Sequence, residues 1–347
     1  MAADPTPSAD AIVARHVSAR GGGESLARIN SLIYRGEYHE GDYRGPAAMA
    51  LMRPFFKLVG DPAQLSMEFR EGYDGSAWEF YGDPGIVVRT VGPAWAAARH
   101  GLAIEGRLAG YREDGSTLTL LGSGTIAGRK AYQVRLRMRD GFEEDEFVDA
   151  ESWMWVASRK AAPIHAFGAA VKTESRYSDF RRVAGVLFAF SDRETEIATG
   201  RVLNEMQWTS IEANVAIPES AFSPPLLPLT PLQRLLDQLY SERADVDAVL
   251  WSYADFRQAF PAVESDAGIQ AIGYQMLKMG DMKSAVALLQ ANATDYPRSS
   301  GAAFGLGRAY CGAGRREEGR AALARALELD PANARAKGAL ARCEAPS

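Results

Sequence analysis

Only two cysteines, Cys311 and Cys343, occur in 347 residues, and both lie late in the chain. This excludes a disulfide framework and a thiolate metal cluster, and it leaves the first 310 residues without a thiol nucleophile. Four histidines, His16, His39, His100 and His165, show no metal-ligand spacing, and no Gly-x-Ser-x-Gly elbow is present. No apolar run approaches the roughly 20 residues of a membrane-spanning helix. A formal net charge of −5 lacks the basic excess that a nucleic-acid partner requires. What remains is an ordinary globular composition, 47% hydrophobic and 24% charged, on a chain long enough for two or three domains. Residues 1–8 are small and polar without an apolar stretch. They fit either a cytoplasmic protein or an exported one whose signal was cut away and replaced by Met1.

Residues 9–30 read as helix, with Ile12, Val13, His16 and Val17 on one face and a break at Gly21-Gly22-Gly23. The period then changes to two. Leu32, Tyr34 and Tyr38 alternate with polar neighbours, as do Leu65, Met67 and Phe69. The clearest case is Tyr132, Val134, Leu136 and Met138 against Gln133, Arg135, Arg137 and Arg139. Each run is a strand with one apolar and one wet face. Further strands are predicted at 47–59, 76–81, 85–90, 117–126, 143–149, 152–159, 171–181, 186–198 and 201–213, with a short helix near 93–101 that carries Trp95. Asp74-Gly75, Asp114-Gly115 and Asp140-Gly141 are hairpin turn pairs, since both residue types tolerate positive φ.

A long antiparallel meander of this kind must cover its apolar face. With only two short helices available as cover, the expectation is a curved sheet wrapped over helices, with an apolar interior that its own side chains fill poorly. Ser223-Pro224-Pro225 closes the region, and Pro228 and Pro231 make a stiff linker. Leu232, Leu235, Leu236 and Leu239 then give an amphipathic helix, and Val246, Val249, Leu250, Tyr253 and Phe256 a second, ended by Pro261.

Pro297 and Pro331 stand 34 residues apart, and the chain before each follows one pattern. Counting back from Pro331 gives Leu306-Gly307, Tyr310, Gly314, Leu323 and Ala326. The same offsets from Pro297 give Ile272-Gly273, Met276, Gly280, Leu289 and, less typically, Asn292. Gly273 and Gly307 allow close helix approach, and Gly280 and Gly314 form the turns. The pattern resembles a pair of tetratricopeptide (TPR) repeats. Such units stack on neighbours and present a binding surface. The resemblance implies that Gln270, Tyr274, Leu277, Phe304 and Arg308 face the groove in which a protein or peptide partner docks; a short array that merely packs is the other reading.

A second resemblance covers residues 9–225. It is carried by Ala11-Ile12-Val13-Ala14-Arg15-His16 with Gly21-Gly22-Gly23, by Gly72-Tyr73-Asp74-Gly75-Ser76-Ala77-Trp78, and by Ala127-Gly128-Arg129-Lys130-Ala131-Tyr132-Gln133-Val134. Asp179-Phe180-Arg181-Arg182-Val183-Ala184-Gly185-Val186 and Asn214-Val215-Ala216-Ile217-Pro218 before Phe222-Ser223-Pro224-Pro225 complete it. Together they resemble the outer-membrane lipoprotein-sorting (LolA/LolB-like) group. That resemblance implies an incomplete β-barrel around helices, an apolar cavity for acyl chains or other lipids, and a periplasmic location.

The expected organisation is therefore α+β: a LolA-like antiparallel half-barrel over 9–225, a Pro-rich linker and helical docking unit over 226–263, and all-α TPR repeats with a capping helix over 264–344. Candidate cavity-lining residues are Met49, Leu51, Met67, Phe69, Trp78, Phe80, Trp95, Tyr132, Val134, Leu136, Met138 and Trp153, with Trp155 beside them. Flexible methionines and broad aromatics suit greasy ligands, although each would equally fill an ordinary core. Every acyl CH₂ buried is worth about 0.8 kcal/mol, so a chain binds there without a polar motif.

Other clusters carry less. Glu143, Glu144, Asp145, Glu146 and Asp149 lack the spacing of a Ca²⁺ loop and read as a solvated strand face. Gly122-Ser123-Gly124 leads into a strand and has no helix N-terminus for a phosphate. The cysteines fall on successive helices, where either a disulfide or two buried free thiols fit, with free thiols preferred. No catalytic residue, cofactor or metal is expected. The functional expectation is a periplasmic carrier for a lipid or lipoprotein acyl chain with a partner-docking tail; the rival is a non-transporting envelope scaffold or lipid-responsive sensor.

Overall fold

The computed structural model describes residues 6–40, 43–60, 69–81, 86–90, 92–101, 103–113, 115–162, 170–226, 230–278 and 280–344. They form two compact units, one of residues 1–81 and 93–224 and the other of 82–92 and 225–347.

The first unit opens with helix α1, Ala9–Arg20. Ser8 caps it, its side chain accepting from the Ala11 N–H at 3.2 Å. Gly21, at φ 132°, stops it, and a Cβ there would collide with the Gly185 carbonyl. A second, five-residue helix α2, Gly23–Ala27, follows. The strands are β1 Ser31–Glu40, β2 Tyr43–Met52, β3 Phe55–Gly60, β4 Phe69–Tyr73 and β5 Ala77–Tyr81. Then, beyond β6 Ile86–Arg89 (grouped with the second unit) and helix α3 Gly92–His100, come β7 Thr117–Ile126, β8 Arg129–Arg137, β9 Glu143–Asp149, β10 Trp155–Ala162, β11 Val171–Val183, β12 Val186–Glu196 and β13 Val202–Ala213.

The twelve strands of this unit hydrogen-bond in the order β5-β4-β3-β2-β1-β13-β12-β11-β10-β9-β8-β7. The chain runs outward from β1 to β5, restarts at β7 on the far side, and returns to close β13 against β1. The result is one large open antiparallel sheet packed against helices, not a closed barrel. Two expectations change in detail. The stretch 47–59 is not one strand but two, separated at Arg53-Pro54, because proline has no N–H to give the ladder. Of the Leu65–Phe69 alternation, Leu65 and Met67 lie outside the described residues, and β4 begins only at Phe69. The turn glycines Gly75, Gly115 and Gly141 all adopt positive φ, as their dipeptides predict.

One face of the sheet carries two apolar clusters. In one, Leu26 of α2 with Ile29 and Ile104 packs on Leu32, Tyr34, Leu51, Val186, Phe188, Trp208 and Ile211. In the other, Ile12 and Val13 of α1 with Leu108 and Tyr111 pack on Val134, Leu136, Met138 and Val148. The helices therefore cover the face that strand alternation makes apolar.

The second unit adds α4 Pro231–Glu242, α5 Val246–Ala259, α6 Asp266–Lys278, α7 Met282–Asp295, α8 Ser300–Gly312, α9 Arg316–Leu329 and α10 Ala334–Glu344. A Cβ on Gly273 would lie 2.6 Å from Leu289 Cγ, and one on Gly307 2.6 Å from Leu323 Cγ, so only glycine permits the α6–α7 and α8–α9 approach. Gly280 and Gly314 make the turns at φ 81° and 77°. The atypical Asn292 is fully buried and donates through Nδ2 to the Asp266 carbonyl at 3.0 Å, linking α7 back to α6. No helix among the described residues is long and apolar enough to cross a membrane.

Candidate functional sites

The cavity candidates divide among several places. Tyr132, Val134, Leu136, Met138 and Trp153 come together under α1, with Tyr132 and Trp153 stacked at 5.5 Å. Leu51 and the half-buried Met49 belong to the α2-covered cluster. Trp78 and Phe80 fall on the opposite face: register runs from Met49 to Leu58, Glu71 and Glu79, and their neighbours in β5 alternate away from it. There Trp78 is 1% exposed and donates from Nε1 to the Phe222 carbonyl at 2.9 Å. Trp95 sits half-buried on α3 under the Arg99 guanidinium. The side chain of Phe69 lies outside the described residues, as does Met67.

Between these clusters the inner face is polar, which sequence reasoning missed. Glu144 and Glu146, opposite Leu136 and Val134 in register, are each 1% exposed. The acidic run is thus not a solvated face. Alternation turns Glu144 and Glu146 inward, while Glu143 and Asp145 bind Arg135 and Arg137 on the other side. Register continues the inward row through Ser158 and Lys160 on β10, Thr173, Ser175 and Tyr177 on β11, and Asp192 and Glu194 on β12.

The row is held by specific partners. Arg107 reaches Glu144 directly and comes to 4.0 Å from Glu146. The Trp155 indole N–H donates to Glu146, and its ring stacks on Tyr177 at 3.7 Å. Lys160 lies 3.7 Å from Glu194, to which Asn204 donates at 2.9 Å. Burial, reinforced by the Glu144 charge, pushes the Glu146 carboxyl up to about 8. Burial and Glu194 push Asp192 up to about 7. Above the row, His16 is 2% exposed and lies 2.9 Å from the Trp153 carbonyl; because a carbonyl only accepts, Nδ1 carries the proton. Burial, with Arg20 beside it, depresses His16 to about 4. Among the described residues the Glu144 Oε1 and Asp192 Oδ1 atoms have no hydrogen-bond partner.

The pocket at the row, lined by His16, Arg20, Gly106, Arg107, Leu108, Glu146 and Trp155, has a volume of about 10 Å³, room for one water at most. Among the described residues no three His, Cys, Asp or Glu side chains are placed to hold a metal ion.

In the helical unit, Tyr274 and Phe304 meet edge to face at 6.1 Å, and the Arg308 guanidinium lies 4.6 Å from the Tyr274 ring centre. Gln270 donates to the Tyr274 hydroxyl at 3.2 Å. Four of the five groove candidates therefore form one contiguous group across α6 and α8, and Leu277 packs half-buried in a neighbouring cluster. The cysteines do not stay free. Cys311 and Cys343 form a disulfide with a Cα–Cα distance of 5.7 Å, because the turn after α9 returns α10 alongside α8. A pocket of about 240 Å³ opens beside it.

Residues 276–343 match the tetratricopeptide repeat family. No curated protein matches the sequence. Among solved structures, a LolA superfamily protein from Nitrosomonas europaea is similar at 12% identity and a TM-score of 0.43, over 63% of this chain and 99% of that one. A putative outer membrane lipoprotein-sorting protein domain from Vibrio parahaemolyticus gives 12% identity and a TM-score of 0.41, over 62% and 96%. A DUF1329 family protein from Desulfovibrio piger gives 10% and 0.39, over 63% and 98%.

Proposed function

We propose that the chain is a binding protein of the cell envelope whose helical unit docks a protein partner. The observation that supports this is the contiguous group Gln270, Tyr274, Phe304 and Arg308, in which the half-buried Gln270 and Arg308 contact the buried rings of α6 and α8. Aromatic and Arg side chains held rigid by each other lose little entropy on binding, which is why such residues dominate interfaces. A periplasmic location fits the Cys311–Cys343 disulfide, since such bonds persist in oxidising compartments. Capture of envelope proteins by the full chain, compared with an Arg308→Glu and Gln270→Lys variant, tests the reading. Loss of a specific captured protein with unchanged circular dichroism supports it; equal capture by both removes it.

A second reading is favoured by the covering of the inner face, which rests on short helices and not on strands. Shifting α1 and α2 would open the apolar surface of Leu51, Met49, Tyr132, Val134, Leu136, Met138 and Trp153 to an acyl chain. In this reading the β unit is a carrier, or a lipid-responsive sensor, that loads by opening. Trp78 and Phe80, on the opposite face, take no part in it. Extraction of lipid from the purified chain, followed by mass spectrometry, tests it. A chain that carries no lipid, and takes up none from vesicles, rules the carrier out.

A further inference from the structure

The inner face that a shift of α1 and α2 would uncover is not apolar throughout. Between its two apolar clusters runs the carboxylate row, and two oxygens of that row are unclaimed. Among the described residues, Glu144 Oε1 and Asp192 Oδ1 are buried atoms without a hydrogen-bond partner. Glu144 is 1% exposed, and Arg107 takes only its other oxygen. Both acids bear on one spot. Tyr177 stands opposite Asp192 in register, and burial, with Asp192 and Glu144 beside it, holds the pKa of its hydroxyl well above the ordinary value. The Trp155 ring stacks on Tyr177 there.

The surrounding charge is mostly of one sign. Register turns Glu71 inward in line with Met49. The Tyr38 hydroxyl donates to Glu40, and burial, with Glu40, Glu71 and Glu194 beside it, pushes that hydroxyl up as well. With Glu144, Glu146, Asp192 and Glu194 this makes six inward carboxylates. Arg107 and Lys160 answer them, while Arg20 of α1 is held by the Leu187 and Glu105 carbonyls. An alkyl chain alone laid across this face would leave Glu144 Oε1 and Asp192 Oδ1 without solvent or partner.

We propose that this interior takes an amphiphile with an alkylammonium head, the head answering Glu144 and Asp192 and the chain lying on the flanking apolar clusters. An ammonium brings several N–H donors and positive charge to carboxylate oxygens that lack both, and aromatic rings beside carboxylates suit a cation. The proposal deepens the carrier reading and rests on it. The cover must shift first, since the hollow at the row is about 10 Å³.

Calorimetric titration of the full chain with dodecylammonium, dodecyl maltoside and dodecanoate, each below its micelle concentration, tests this. Dodecylammonium should bind roughly tenfold or more tightly than the maltoside. Glu144→Gln/Asp192→Asn should bring the two to within about twofold, with the fold checked by circular dichroism. Should Arg107, left without its carboxylate, loosen that variant, Asp192→Asn alone should still lower the preference by about threefold. Asp247→Asn/Asp255→Asn removes two exposed carboxylates from α5 and should leave the preference unchanged. A preference kept in both row variants, or lowered equally by the α5 variant, overturns the site. Butylammonium bound as tightly as dodecylammonium would make the ligand a free amine and overturn the amphiphile. Maltoside or dodecanoate bound as tightly as the ammonium overturns this inference and leaves the carrier reading standing, whereas a chain that binds no amphiphile loses both.

Discussion

Arg107, on the loop after α3, pairs with Glu144 on the inward side of β9, where the carboxylate is fully buried and the guanidinium only 16% exposed. A buried pair contributes little net stability, yet removing one partner strands the other without solvent. The loop that covers the sheet is thereby latched to it by charge as well as by Leu108.

Replacing Arg107 with Met is accordingly expected to cost about 3–5 kcal/mol, since it leaves the buried Glu144 side chain without its guanidinium partner. The double change Arg107→Met/Glu144→Leu should recover much of that loss. Hydrogen exchange of the β9 and β10 amides reads both. Equal protection in wild type and Arg107→Met would show that the pair does not hold the loop.

The buried titratable groups act in opposite directions with pH. His16 is depressed to about 4, so its contribution is present above its unfolded value near 6.5 and is lost as pH falls through 4. Relative to His16→Leu, the wild type should lose up to roughly 3 kcal/mol between pH 6.5 and 4. Glu146 is raised to about 8, so its contribution is present below its unfolded pKa and lost as pH rises toward 8. Glu146→Gln should therefore gain on wild type over that interval. Asp192, raised to about 7, should behave alike in Asp192→Asn. Melting temperatures of the variants across pH 4–8 check all three signs, and parallel curves would refute the burial argument.

Reduction of Cys311–Cys343 releases a chain loop spanning 32 residues. Closing a loop of that size removes unfolded-state entropy worth roughly 3–4 kcal/mol. A Cys311→Ser/Cys343→Ser variant should lower the melting of the helical signal and fray α10 first. Unchanged melting on adding reductant would mean that α10 is held by packing through Ala336 and Ala339 alone.

Gly307→Ala tests the helix approach. The added carbon meets Leu323 Cγ at 2.6 Å and the Gly319 carbonyl at 3.0 Å, so α8 and α9 must part. Overpacking of this kind costs about 1–3 kcal/mol. Gly75→Ala, where nothing lies within 4 Å, should lose less, through its φ of 109° alone. Comparing the two by chemical denaturation of the full chain separates clash from backbone strain.

The alternating runs and their turn pairs were legible in the sequence because period two and positive-φ dipeptides are local properties. The α6–α9 glycines were legible for the same reason: their spacing repeats. What stayed hidden depends on register. Glu144 and Glu146 look solvated as a charge run, and only pairing with Val134 and Leu136 turns them inward. Inward Ser158, Thr173, Ser175 and Asp192 were a signal, since a row of polar residues at apolar positions needs a partner, here Arg107 and Lys160. Trp78 and Phe80 look like neighbours of Leu51, yet three strand pairings separate them and reverse their side. The disulfide required knowing how close α10 returns to α8, which no spacing states.

Because the sheet is not closed, β7 ends the strand order, and no described strand pairs beyond it. A flat terminal strand would invite a foreign chain to zip on. Here the ladder slips between Leu120 and Gly122, with Gly122 at φ 134°, so the rim buckles midway. Such a buckle acts as a bumper, because it breaks the straight row of N–H and C=O groups that a foreign strand would need.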